Sequence, residues 1–166
     1  MGVQLLAARR PKRKSWFKGV AMLLSIVIPV YNEAAALPVL LRSLRRTLDR
    51  MECQYEIIFV NDGSRDRSPE ILAEAASTDR RLKVLCFSRN FGHQAALTAG
   101  LDFASGDAVV TMDADLQDPP ELLPDMVELF QRGFEVVSAQ RVSRDGDGLF
   151  KRATASLFYR FMRRMV

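Results

Sequence analysis

Ser25-Ile-Val-Ile-Pro-Val-Tyr-Asn-Glu33 is a short apolar run, rich in β-branched residues, that stops at a polar tripeptide. Such runs recur along the chain and alternate with longer amphipathic stretches, the pattern of a parallel sheet covered by helices. Strands are expected at residues 25–30, 55–61, 82–88, 108–112 and 134–139, and helices at 34–50, 68–78, 92–104 and 120–132. The expected fold is α/β, with a mostly parallel sheet and helices on both faces in the Rossmann-like manner. Local signals agree: Asp66 or Ser68 is placed to cap the second helix ahead of Pro69, and Pro119-Pro120 fixes entry to the fourth. Gly106-Asp107 turns the chain out of the third.

The 166 residues, 48% hydrophobic and 27% charged, suffice for one globular domain with a single core. Cys53 and Cys86 form neither a disulfide framework nor a metal-ligand spacing, so both are read as packing residues in a reducing compartment. Charge is segregated: residues 1–24 hold six basic side chains and no acid, and residues 142–166 hold six basic and two acidic. The middle holds 12 basic and 18 acidic residues. Basic ends of this kind suit an anionic membrane surface. No recognition module or aromatic platform accompanies them, so nucleic acid is not an expected partner.

The longest uncharged run, residues 19–32, is shorter than the ~18 apolar residues that span a bilayer and is broken by Pro29. Basic residues, an apolar run and Ala34-Ala35-Ala36 imitate a secretory signal, but Tyr31, Asn32 and Glu33 have a better use at a strand end. Three regions are therefore expected. Residues 1–21 form a basic extension, expected to be disordered, and 22–148 form the globular domain. Residues 149–166 read as a basic amphipathic helix, suited to a membrane surface or to a further part of the domain.

In open α/β sheets ligands bind beyond the carboxyl ends of the strands, and here those ends are acidic. The first strand runs into Tyr31-Asn32-Glu33, the second into Asp62-Gly63-Ser64, and the fourth into Asp113-Ala114-Asp115. In extended backbone Asp113 and Asp115 point to the same side. Two such carboxylates suit Mg²⁺ or Mn²⁺ shared with substrate phosphates, and Gln117, in the same register, could add an oxygen. The plainer reading is a solvated turn. The Asp62 carboxylate could accept hydrogen bonds from a base N–H or a ribose hydroxyl, or cap its own turn. His93, the only histidine, is read as packing or capping at a helix start, and Tyr55, Phe59 and Phe87 as core.

Four segments carry a resemblance: Ser25 to Glu33, Val60-Asn-Asp-Gly-Ser-Arg-Asp66, Arg89-Asn-Phe-Gly92 and Met112-Asp-Ala-Asp-Leu-Gln-Asp-Pro119. In this order and spacing they resemble family 2 glycosyltransferases of the nucleotide-sugar-binding GT-A fold, in particular the branch that loads a sugar onto a polyprenyl phosphate such as dolichyl or undecaprenyl phosphate. The resemblance covers about residues 23–166. It implies that Pro29, Tyr31 and Glu33 line the nucleotide pocket with Asp62 beside the base. It also implies that Asp113, Asp115 and Gln117, with Ala114 between the aspartates, hold Mg²⁺ or Mn²⁺ and the diphosphate. Arg89 and Arg141 would lie near the donor, Arg141 by its phosphates.

The implied activity is inverting, metal-dependent transfer from a UDP-sugar or GDP-sugar to a polyprenyl phosphate, peripherally at the cytoplasmic face of the membrane. Asp113 and Asp115 are its candidate catalytic residues. Family members continue with an acceptor-side segment, so the fold is expected to be incomplete at the C-terminus. The competing readings are a non-catalytic nucleotide-sugar-binding module and a haloacid-dehalogenase-like phosphotransferase. The second fits poorly, because Leu116 stands where that motif needs threonine or valine and the aspartates follow the fourth strand.

Overall fold

A computed structural model describes residues 3–8 and 22–141. In chain order the elements are β1 (Val3–Ala8), β2 (Leu23–Val30), α1 (Leu37–Leu48), β3 (Gln54–Asn61), α2 (Ser68–Thr78) and β4 (Leu82–Cys86). Then come α3 (His93–Phe103), β5 (Ala108–Thr111), a 3-10 turn at Pro120–Leu122, α4 (Leu123–Gln131) and β6 (Val136–Arg141). Four strands form a parallel sheet in the order β4-β3-β2-β5.

Helices cover both faces, as expected from strands with no polar alternation. On one face Leu24, Ile26, Ile28, Ile57 and Phe59 meet the apolar stripe of α1 (Leu37, Leu40, Leu44, Leu48), with Leu72 of α2 and Val127 of α4. The three- and four-residue spacing of the α1 leucines puts them on one side of the helix. On the other face Val27, Ile58 and Val60 pack against Ala96 of α3. Pro29 fits inside the central strand because its missing N–H faces β5, whose register with β2 ends at Val27.

At the amino ends of the strands a buried polar cluster ties the sheet together. Glu56, 5% exposed, accepts hydrogen bonds from Ser25 Oγ (2.6 Å), Lys83 Nζ (2.6 Å), Ser105 N–H (2.8 Å) and Ser105 Oγ (2.9 Å). Burial alone would raise its pKa, but the bonds from Lys83, Ser25 and Ser105 outweigh that and hold it down to about 2. Beside it Tyr55 Oη donates to Asp49 (2.6 Å), and Arg81 bridges Asp49 and Asp79 while lying over the Tyr55 ring.

Several expectations are corrected. The fifth strand lies outside the parallel sheet: β6 pairs antiparallel with β1, from Val3↔Arg141 to Ala8↔Val136. Residues 3–8 are thus a strand rather than part of a disordered extension. Val3-Gln-Leu-Leu-Ala-Ala is uncharged, and averaging charge over the whole basic segment hid it. Residues 9–21 and the proposed helix at 149–166 lie outside the described residues.

Helix α1 starts at Leu37 because residues 33–36 form a turn closed on the Glu33 carbonyl. Asp66 Oδ1 accepts the Ser68 N–H that opens α2 (3.0 Å), while its Oδ2 and the Ser68 hydroxyl reach the loop after β2, as described below. Cys53 packs against the core, whereas Cys86 is exposed. No helix among the described residues is long and apolar enough to cross a membrane.

Candidate functional site

The chain passes from β2 to β3 on one side and places β5 on the other, so the loops after β2 and β5 diverge at the carboxyl edge of the sheet. Such a divergence leaves a crevice where ligands bind. Here it is a cleft of about 240 Å³ that brings together Pro29, Tyr31, Glu33, Asp62, Asp113, Ala114 and Asp115, with Asn90 and His93 at its side. Seven of the ten residues that the motifs nominate therefore converge.

One lip is held by side chains that bond to neighbouring backbone. Asn32 adopts φ +57°, a left-handed conformation that asparagine tolerates, and its Oδ1 accepts the Arg65 N–H at 2.8 Å. In return the N–H groups of Asn32, Glu33 and Ala34 donate to Ser64 Oγ, Ser68 Oγ and Asp66 Oδ2 at 2.9–3.0 Å. The polar residues after β3 thus brace the Tyr-Asn-Glu loop, and Asp66 at the same time bonds the first N–H of α2.

Asp62 is only 3% exposed, and both of its oxygens are engaged: Oδ1 accepts the Phe91 N–H (2.7 Å) and Oδ2 the Gly92 N–H (2.9 Å). Its first role is to pin the loop that enters α3. Gly63, at φ +66°, permits the same contact, because a Cβ there would run into the Arg89 and Asn90 backbone. Each carboxylate oxygen retains a second acceptor site, so Asp62 remains able to bond a ligand from the cleft.

On the opposite lip Ala114 is buried while Asp113 and Asp115 are exposed, so the two-residue alternation survives the end of β5. It then breaks. Asp115 Oδ1 accepts the Gln117 N–H at 3.0 Å, Leu116 takes φ +64°, and the Asp113 N–H donates to Asp118 Oδ2 at 3.3 Å. This turn carries Gln117 out of the cleft and into a separate cavity of about 470 Å³ between β5 and β6. Gln117 is therefore tied to Asp115 through its backbone N–H but does not line the cleft that the aspartates line.

One arginine also falls outside the cleft. Arg89 lines an adjoining depression shared with Tyr31 and Asn90, its guanidinium 4.5 Å above the Phe91 ring. Arg141 ends β6, and its side chain lies outside what the structure describes. Phe87, expected in the core, is half-buried and stacks edge-on against Phe91 beside the site. His93, expected to pack or cap, is instead exposed in the cleft, with Nε2 3.8 Å from Asp113 Oδ1. Its position at the start of α3, on the carboxyl side of the sheet, is the signal that could have placed it there.

The cleft is electrostatically unbalanced. Desolvation raises the Glu33 pKa first, and repulsion from Asp115 and Asp66 raises it further. Among the described residues no three His, Cys, Asp or Glu side chains converge tightly enough to enclose a metal ion. That donor set still fits a Mg²⁺-like cation, which commonly takes one or two carboxylates and completes its shell with phosphate and water. Asp113 and Asp115 are the pair that would hold it.

A mostly parallel α/β sheet with helices on both faces is the architecture of the GT-A glycosyltransferase fold. The chain belongs to glycosyl transferase family 2, which it matches over residues 25–165. It is 52% identical over 138 residues to the uncharacterized glycosyltransferase YkcC of Bacillus subtilis, covering 83% of this chain and 43% of that protein. It is 45% identical over 139 residues to the bactoprenol glucosyl transferase of Shigella phage SfV, covering 84% of this chain and 45% of that one. Among solved structures, the mannosyltransferase PcManGT of Pyrobaculum calidifontis, in complex with GDP-Man and Mn²⁺, superposes with a TM-score of 0.58 at 26% identity. That match covers 66% of this chain and 32% of PcManGT. The chain spans less than half the length of these relatives. Membership of this family leaves the haloacid-dehalogenase reading without support.

Proposed function

We propose that this chain binds a nucleoside-diphosphate sugar and forms the donor side of a transferase that passes the sugar to a polyprenyl phosphate. The observation that carries this reading is the convergence of Asp113 and Asp115 with Tyr31, Glu33 and Asp62 in one switch-point cleft, in a family 2 chain. The donor class is UDP-sugar or GDP-sugar, supported by the GDP-Man and Mn²⁺ of PcManGT. The acceptor class is supported by the name of the phage enzyme, since bactoprenol is a polyprenol. On this reading the chain works peripherally at a membrane surface, at its cytoplasmic face.

In the proposed reaction an acceptor phosphate oxygen attacks the anomeric carbon as the bond from that carbon to the nucleoside diphosphate breaks, with inversion. A lipid phosphate is already ionised at neutral pH and needs no strong general base. Pro29, Tyr31 and Glu33 line the nucleotide's place, and Asp62 keeps the loop beside it in position. Asp113 and Asp115 would hold Mg²⁺ or Mn²⁺ beside the diphosphate. When bound, that cation stabilises negative charge on the leaving diphosphate. Gln117 is left out of the ligand set because it lines the other cavity and not the cleft.

Calorimetric titration of the 166-residue chain with UDP, GDP and their sugar conjugates, with and without Mn²⁺, tests the donor site. The expected result is Mn²⁺-dependent binding of one nucleotide, weakened at least about tenfold in Asp115→Ala. A folded chain that binds neither nucleotide overturns the reading. Turnover with a polyprenyl phosphate then separates a transferase from a donor-binding module.

A further inference from the structure

His93 is the only basic side chain among the described residues that line the cleft. Its partners around that space are the carboxylates of Glu33, Asp62, Asp113 and Asp115. Both substrates of the proposed reaction bring phosphate into the same space, so carboxylate and phosphate charges repel unless donors or cations intervene. We propose that His93 is a phosphate-contacting residue, donating a hydrogen bond from its imidazole N–H to a phosphate oxygen held in the cleft. This rests on the donor-site reading above and adds a ligand contact that the Asp113 and Asp115 pair does not supply.

The placement of His93 is built into the fold. The residue before it, Gly92, has its N–H held by Asp62 Oδ2, and Phe91 is held by Asp62 Oδ1. Three residues after it, Ala96 is fully buried against β2 and β3 and fixes the first turn of α3. A buried carboxylate on one side and a core contact on the other therefore hold the backbone that carries the imidazole.

The side chain itself does no capping, since the first turn of α3 has no side-chain cap hydrogen bond. Its ring is 53% exposed, and at 3.8 Å the Asp113 oxygen is beyond hydrogen-bond reach. The imidazole N–H is thus left for a ligand beside the carboxylate that would hold the cation. Either imidazole tautomer offers one such donor, so the contact does not depend on protonation.

The phosphate belongs either to the donor diphosphate or to the acceptor lipid, and binding to the 166-residue chain distinguishes them. In the first arm, His93→Ala and His93→Gln are titrated with the preferred nucleoside diphosphate and with its monophosphate, in the presence of Mn²⁺. In the second, the chain loaded with Mn²⁺ and nucleoside diphosphate is titrated with farnesyl phosphate. A donor-side contact weakens diphosphate binding by roughly tenfold in the alanine variant, with partial recovery in the glutamine variant, and changes monophosphate binding little. An acceptor-side contact leaves both nucleotides unchanged and weakens farnesyl phosphate by a similar factor.

Mn²⁺ affinity without nucleotide, read from the electron paramagnetic resonance signal of free Mn²⁺, should be unaltered. An equal loss there would mean that His93 acts through Asp113, and the proposal fails. It also fails if no phosphate ligand is weakened while Asp115→Ala still abolishes Mn²⁺-dependent binding, a result that leaves the donor-site reading intact. If the wild-type chain binds no nucleotide, both readings fall together. Unfolding temperatures of the variants matching the wild type exclude a folding defect.

Discussion

The two ends of the parallel sheet are both rich in carboxylates, and they treat them in opposite ways. At the amino ends three acids are matched: Glu56 by Lys83, Ser25 and Ser105, Asp49 by Tyr55 and Arg81, and Asp79 by the Arg81 guanidinium. The pKa values of all three acids are lowered as a result, that of Asp49 chiefly through Tyr55 and that of Asp79 chiefly through Arg81. At the carboxyl ends Asp62 and Asp66 are bonded to loop amides, but Glu33, Asp113 and Asp115 share a cleft with one histidine, and the Glu33 pKa rises. Balanced charge at one edge holds strands in register. Unbalanced charge at the other is a cost to the empty fold that the proposed cation would offset.

The largest expected effect comes from breaking the balanced end. Glu56→Gln should destabilise the chain at pH 7 by on the order of 3 kcal/mol, measured by urea unfolding. Because the Glu56 pKa is lowered on folding, its stabilisation is present above the ordinary carboxylate range and is lost as pH falls toward about 2. The difference between wild type and variant should therefore shrink over that window, and a gap independent of pH would argue that shape rather than charge is at work. Tyr55→Phe, which removes the bond to Asp49, should cost about 1 kcal/mol.

The same kind of change at the other end should reverse sign. The raised Glu33 pKa favours the folded state at low pH, and that advantage disappears as pH rises through the folded-state value. Glu33→Gln should accordingly stabilise the metal-free chain at pH 7, by less than about 1 kcal/mol. A loss of stability would show that Glu33 carries a structural bond that outweighs its repulsion. The smallest effect sharpens the contrast: saturating Mn²⁺ should raise the unfolding temperature of wild type but not of Asp115→Ala, and should narrow the gain from Glu33→Gln.

What was legible in the sequence was local. Apolar runs with β-branched residues located β2 to β5, and the leucine spacing located α1, because each signal sits within a single element. The carboxylates at strand ends followed from chain order and the general place of ligands in such sheets. What escaped was set by distant partners or by one backbone angle. The pairing of Val3–Ala8 with Val136–Arg141 joins opposite ends of the described chain and leaves no local trace.

Gln117 was misplaced because the left-handed Leu116 breaks the alternation on which its position was inferred. Asp62 reads in the sequence as a ligand group or the cap of its own turn, whereas its bonds to Phe91 and Gly92 make it a brace for a different loop. Glu56 was overlooked, yet a lone acid in Tyr55-Glu-Ile-Ile-Phe-Val60, an otherwise apolar strand, was a sign that a buried partner awaited it.

The bonds that brace the loop after β2 have a further consequence for how this edge moves. Asn32, Glu33, Ala34, Arg65, Phe91 and Gly92 belong to three separate loops, yet their amides all donate to side chains on a neighbouring segment. Loop amides ordinarily exchange with solvent deuterium one by one as each stretch frays. Here no single loop can swing out without releasing its neighbours, so these six amides should exchange late and together, as though the nucleotide's side of the cleft were one piece of secondary structure assembled from side chains.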